Sequence, residues 1–273
     1  MPAKGLHAAV LLLASILAVK ARADTPTEAA LKHASERGRQ IFLLDEAGWV
    51  STDEMLRKIP DPKGAGIAGW IVEPQADHLH TIFYRMKDDA ALAAFVVDTK
   101  GRQVLASHIV EPSEGDRLSP VEALMVQARR NSARESMMRC TDGPMNTVVI
   151  PPASAQETVD VYVMSSQTKQ GEYPLGGHQL FKVDPKGAVV FRRKFTNGCL
   201  SLSSTTPDGS KPVGLMLTHL LDTSPTEIHV FTSLAAGLPV FVSTPFTLPA
   251  TPNAYRIWQV NGDAITSMKD VVH

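Results

Sequence analysis

The sequence has little of what marks the common functional classes. Cysteine occurs twice in 273 residues, at Cys140 and Cys199. No Gly-x-Ser-x-Gly elbow offers a nucleophile, and neither a phosphate loop nor a dinucleotide fingerprint is present. Charge of one sign is missing as well, with 27 Lys and Arg against 28 Asp and Glu. That balance leaves no electrostatic footprint for nucleic acid or an anionic membrane. Beyond the first twenty residues no run is apolar and long enough to span a bilayer. Internal repeats and low-complexity tracts are absent too.

What is present begins at the N-terminus. Lys4 starts a short basic segment, Ala8–Val19 is uncharged and apolar, and Ala21-Arg22-Ala23 follows with small-x-small spacing. That order is the one expected of a cleavable secretory signal in residues 1–23. The apolar run is about half a membrane span, Lys20 and Arg22 close it, and no Cys follows to carry a lipid. The expectation is a soluble periplasmic or secreted protein cleaved near Ala23. Cleavage removes Lys4, Lys20 and Arg22 and no acid, taking the net charge from −1 to −4.

Export gives the two cysteines a meaning. An even count in an oxidising compartment predicts a Cys140–Cys199 disulfide. Closing so long a loop stabilises a fold by about 4 kcal/mol in the chain-entropy model. A free catalytic thiol is the alternative.

Apolar periodicity predicts an α+β protein. Helical spacing runs over 26–47, and Ser51-Thr-Asp-Glu54 reads as the start of a second helix. Period-two segments at 69–73, 79–84, 91–98 and 103–110 predict an antiparallel meander, with turns at Lys87-Asp-Asp and Asp98-Thr-Lys-Gly. Ser119-Pro120 caps a further helix to about Ser136. After the prolines at 144, 151 and 152, strands are expected at 159–164, 177–183, 188–191 and 213–219. A helix over 226–236 and strands at 239–243 and 255–260 follow. The boundary between an N-terminal α+β domain (24–140) and a C-terminal mixed α/β unit (141–273) is expected near 138–152.

The C-terminal unit carries the main candidate chemistry. A strand ends at Thr218-His219, a loop contains Asp222, and Ser224-Pro-Thr-Glu227 opens the helix that carries His229. A Gly-Leu-Pro strand follows. This order resembles the second half of JAB/MPN (JAMM) metallopeptidase domains, in which a strand delivers His-x-His-Pro and Ser-x-x-Asp begins the next helix. The resemblance covers residues 159–262. It implies a zinc site in which His219 matches the first histidine, but Leu221 stands where the second belongs and Asp222 where the proline belongs. A catalytic zinc needs three protein ligands and one open position. A rearranged site would therefore draw its metal ligands from His219, Asp222 and His229, with His219, Asp222 and Glu227 as catalytic groups. Otherwise His219 ends a strand while Asp222, Ser224 and Thr226 cap the helix.

Smaller signals have bland readings. His78 and His80 are spaced to share a strand face. His108 with Glu111, Glu114 and Asp116 reads as a hydrated loop, Gly176-Gly177 before His178 as a turn, and Arg192-Arg-Lys194 as a solvated strand end. The function expected is an exported bacterial, non-catalytic binding module with an envelope or secreted protein partner, since a meander offers an edge for pairing. The alternative is a zinc hydrolase with the rearranged site.

Overall fold

The first described element is one long helix, α1 (Glu28–Lys58), capped by the Thr27 hydroxyl on the Ala30 amide at 3.2 Å. The computed structural model describes residues 27–111, 116–206, 208–248 and 251–272. The expected signal segment and Glu114 lie outside them. Ser51 does not begin a second helix. Its hydroxyl donates to Thr81 Oγ1 at 2.9 Å, and that of Thr52 bonds the Gly48 carbonyl one turn back. Both hydroxyls are thus satisfied without breaking the helical ladder.

The meander follows as β1 (Ile67–Pro74), β2 (Leu79–Lys87), β3 (Ala90–Lys100) and β4 (Gln103–Ile109), paired antiparallel in chain order. Asp88 and Asp89 turn β2 into β3 with φ of 48° and 63°, the left-handed pair that a two-residue hairpin requires. Helix α2 (Pro120–Ala133) begins with a reciprocal box in which Ser119 and Glu122 cap each other's amides.

A second antiparallel sheet contains β5 (Asn146–Ile150), β6 (Val159–Met164), β8 (Gln179–Val183) and β9 (Val189–Lys194). The short strands β7 (Glu172–Pro174) and β10 (Ser201–Ser203) pair with each other. The last sheet holds β11 (Leu215–Thr218), β12 (Val240–Leu248), β13 (Thr251–Asn261) and β14 (Ala264–Val272). Helix α3 (Glu227–Ala236) crosses between β11 and β12, which are parallel, and the left-handed Gly237 ends it. The chain continues past the Asn261-Gly262 turn into β14, a strand with a solvent-exposed, mixed face whose apolar period is weak. No helix among the described residues is long and apolar enough to cross a membrane.

The apolar core ignores residue 140. Ile41 and Leu44 of α1 pack with Tyr162, Phe195, Ile228 and Trp258, while Ile71 and Ile82 of the meander pack with Val149, Val161 and Phe181. Gly38 lets α1 and α3 touch. A Cβ there would lie 2.4 Å from Val230 Cβ and 2.6 Å from the Glu227 carbonyl.

Cys140 and Cys199 form a disulfide with Cα atoms 5.2 Å apart. A bonded pair is compatible with an extracellular location. Gly176 and Gly177 do more than turn the chain before β8. A Cβ on Gly176 would sit 2.6 Å from Cys199 Cα, so these glycines let the backbone lie against the bridge.

Candidate functional site

Thr226 ends the loop before α3, and its amide faces the ring of His229 one helical turn on. That amide donates to His229 Nδ1 at 2.9 Å, with the Thr226 hydroxyl 3.1 Å from the same atom. Because an amide can only donate, Nδ1 is the acceptor and the neutral ring carries its proton on Nε2. Burial, reinforced by nearby His219, pushes His229 down to about 3. It is a neutral imidazole throughout the physiological range.

His219, at the end of β11, packs edge-on against His229 with ring centroids 4.7 Å apart. Its Nε2 lies 2.8 Å from Asp222 Oδ2, and Arg193 of β9 donates to Oδ1 of the same carboxylate at 2.8 Å. Burial pushes the Asp222 carboxyl up, but the His219 bond and the Arg193 guanidinium outweigh it and hold the group below the ordinary carboxylate range. Arg193 also stands over the Phe195 ring and 3.8 Å from Glu227 Oε1. The Tyr162 hydroxyl donates to that Glu227 oxygen at 3.0 Å, and burial with the adjacent carboxylate raises the phenol well above its usual range.

All four candidate residues, His219, Asp222, Glu227 and His229, therefore meet in one place. His219, Glu227 and His229 are buried. However, His229 Nδ1 is taken by Thr226, the Asp222 carboxylate by His219 and Arg193, and Glu227 Oε1 by Tyr162. Among the described residues no group of three or more His, Cys, Asp or Glu is arranged to hold a metal ion. The donor set does not fit a zinc centre, whose ligands must turn unshared lone pairs to a common point. What the arrangement does chemically is join β6, β9, β11 and α3 through charge-assisted bonds.

Sequence reasoning missed three members of this region. Arg193 is not a solvated strand end, since it shares strand parity with buried Phe195 and turns inward. Tyr162 sits among the buried apolar residues of β6, whose period does not set it apart. His178 lies one layer away, accepting from the Ser165 amide at 3.1 Å and facing the Pro174 carbonyl at 2.8 Å. Burial holds it down at about 4.

The other histidine pair is a surface feature. His78 Nε2 and His80 Nδ1 lie 3.4 and 2.6 Å from one oxygen of Asp98, with His78 in the turn before β2. His108 lies in β4 and Asp116 pairs with Arg85 at 2.8 Å, so neither belongs to a featureless loop.

The edge of the meander is the more open feature. β4 pairs with β3 alone, and its outer edge has no strand partner among the described residues. The run Gln103-Val-Leu-Ala-Ser-His-Ile109 contains no Lys, Asp, Glu or Pro. Leu105 is 47% exposed and Ile109 50% exposed.

No protein-family model, curated protein or solved structure matches the chain. The JAB/MPN resemblance accordingly rests on the quoted residues alone.

Proposed function

We propose that this protein is an exported, non-catalytic binding module that takes up an extended segment of a partner protein along β4. The observation that carries this reading is the unblocked edge. Natural sheets blunt their edges with lysine or proline, and β4 has neither. Helix α1 packs against β4, with Glu54 accepting from the Ser107 hydroxyl at 2.6 Å, while the outer edge of the strand has no strand partner among the described residues. An added strand would gain main-chain hydrogen bonds and set side chains against Leu105 and Ile109. The internal pairing of the His219 cluster supports a non-catalytic role, and the N-terminal pattern with the disulfide supports export. The competing zinc hydrolase has the convergence of four candidate residues in its favour, and a donor set that does not fit against it.

A photo-crosslinking residue at Leu105, in cells exporting the protein, tests the reading. A discrete adduct is expected from this position and none from Met268 on β14, the edge of the C-terminal sheet. Ile109→Lys should cut the adduct at least tenfold while leaving the melting temperature within about 2 °C, as for most exposed substitutions. Equal capture at both positions, or indifference to Ile109→Lys, would overturn it. Zinc below about a tenth of an equivalent in protein purified without chelators is expected; stoichiometric zinc would restore the hydrolase.

A further inference from the structure

Asparagine precedes glycine at two places, Asn197-Gly198 and Asn261-Gly262. Such a pair is reactive by itself. The glycine backbone nitrogen adds to the asparagine Cγ, so that an N–Cγ bond forms while the Cγ–Nδ2 bond breaks. The side-chain amine leaves as ammonia, taking the glycine amide proton. Water then opens the cyclic imide at one carbonyl or the other, giving aspartate or isoaspartate. Glycine favours the step because no side chain crowds the attacking nitrogen and its backbone turns freely. Ring closure needs that nitrogen free to lose its proton and to swing onto Cγ.

The fold treats the two pairs differently. Both asparagines are exposed, so access to water does not separate them. Asn197 lies in the link between β9 and β10, where neither its side chain nor the Gly198 amide has a hydrogen-bond partner among the described residues. The Thr196 hydroxyl donates to the Gly198 carbonyl at 2.9 Å, which leaves the nitrogen untouched. A Cβ on Gly198 would meet nothing within 4 Å, so the link has room to close a ring. Asn261 instead ends β13, paired with Ala264 across the hairpin. Its neighbour's amide, that of Gly262, donates to Ser233 Oγ at 3.0 Å. That hydroxyl is buried, 2.8 and 3.1 Å from the carbonyls of Leu238 and Val260. Attack by the Gly262 nitrogen would break this buried bond.

We infer that Asn197 is a site of spontaneous conversion to aspartate and isoaspartate, and that Ser233 protects Asn261 from the same reaction. The conversion adds one negative charge two residues before Cys199, and isoaspartate also lengthens the backbone there by one atom. Water is its only co-reactant, so each molecule carries a mark of its age.

Incubation of the intact mature protein in mildly alkaline buffer, followed by acidic digestion and peptide mass spectrometry, tests this. Asn197 is expected to convert at least about tenfold faster than Asn261, the rate equivalent of one buried hydrogen bond lost, and to give two isomeric acids. In urea-denatured protein the two rates should converge. Gly198→Ala is admitted by the open space and by a φ outside the left-handed region. Its methyl crowds the nitrogen and should slow Asn197 by about tenfold or more. Ser233→Ala, in protein shown to be folded by circular dichroism, should bring Asn261 toward the Asn197 rate. Asn261 converting as fast as Asn197 in the folded protein, an inert Asn197 while the denatured chain converts, or a rate indifferent to Gly198→Ala overturns the inference.

Discussion

The phenol of Tyr162 donates to the carboxylate of Glu227 at 3.0 Å, joining a strand of the second sheet to the first turn of α3 across 65 positions of the chain. Tyr162→Phe would leave a buried carboxylate with the more distant Arg193 as its remaining partner. A loss of about 1–3 kcal/mol is expected, the usual cost of an unsatisfied buried acceptor. Urea unfolding of Tyr162→Phe checks it, and Glu227→Gln, which keeps an acceptor without the charge, should lose less.

Acid should unfold the protein through its buried imidazoles. His178 and His229 are held down at about 4 and about 3, below the value of about 6.5 for an unfolded histidine. Between these limits the unfolded chain binds more protons, so stability is full above pH 6.5 and falls as pH drops toward 4. A loss of a few kcal/mol by pH 5 is expected, at 1.36 kcal/mol per unit for each ring. Asp45 works in the opposite direction. Its raised folded value makes protonation favourable between about 6 and 4, which offsets part of the loss. Unfolding followed across pH 4–8 should become flatter in His178→Gln.

Gly38→Ala should destabilise despite alanine's helix propensity. The added methyl meets Val230 Cβ and the Glu227 carbonyl well inside contact distance. Overpacking of this kind costs about 1–3 kcal/mol, against about 1 kcal/mol gained from propensity. A Gly38→Ala protein with a higher melting temperature would show that α1 and α3 do not touch here.

The bridge should contribute about 4 kcal/mol, the chain-entropy value for a loop of 59 residues. Cys140→Ser with Cys199→Ser is expected to lose about that much in urea unfolding, with a larger m-value because the uncrosslinked unfolded chain exposes more surface. Free-thiol titration of the denatured wild-type protein should find none.

Export is checked at the N-terminus. Protein recovered from the periplasm or medium should begin at Asp24, and a full-length N-terminus in the cytoplasm would remove the basis for export.

Much of this architecture was legible in the order of residues. Alternation located the meander strands, and Ser119-Pro120 and Gly237 marked where helices start and stop, because those signals act within a few residues of chain. The pairing of the two cysteines is likewise an arithmetical reading. Ser51-Thr-Asp-Glu54 misled for the same reason: its cap chemistry is local, whereas the partner that keeps Ser51 helical, Thr81, is 30 positions away. Strands as short as β7 and β10 carry too few side chains to show a period.

The site divides in the same way. The sequence named His219, Asp222, Glu227 and His229 but gave no sign of Arg193 or Tyr162, which reach them from other strands. Whether four such side chains form an open metal centre or a closed ionic lock depends on which lone pairs are already taken. That is decided by distances across the core. The same holds for Asp45, an ordinary helix residue in sequence whose carboxylate meets Asn146 of β5 only in the folded chain.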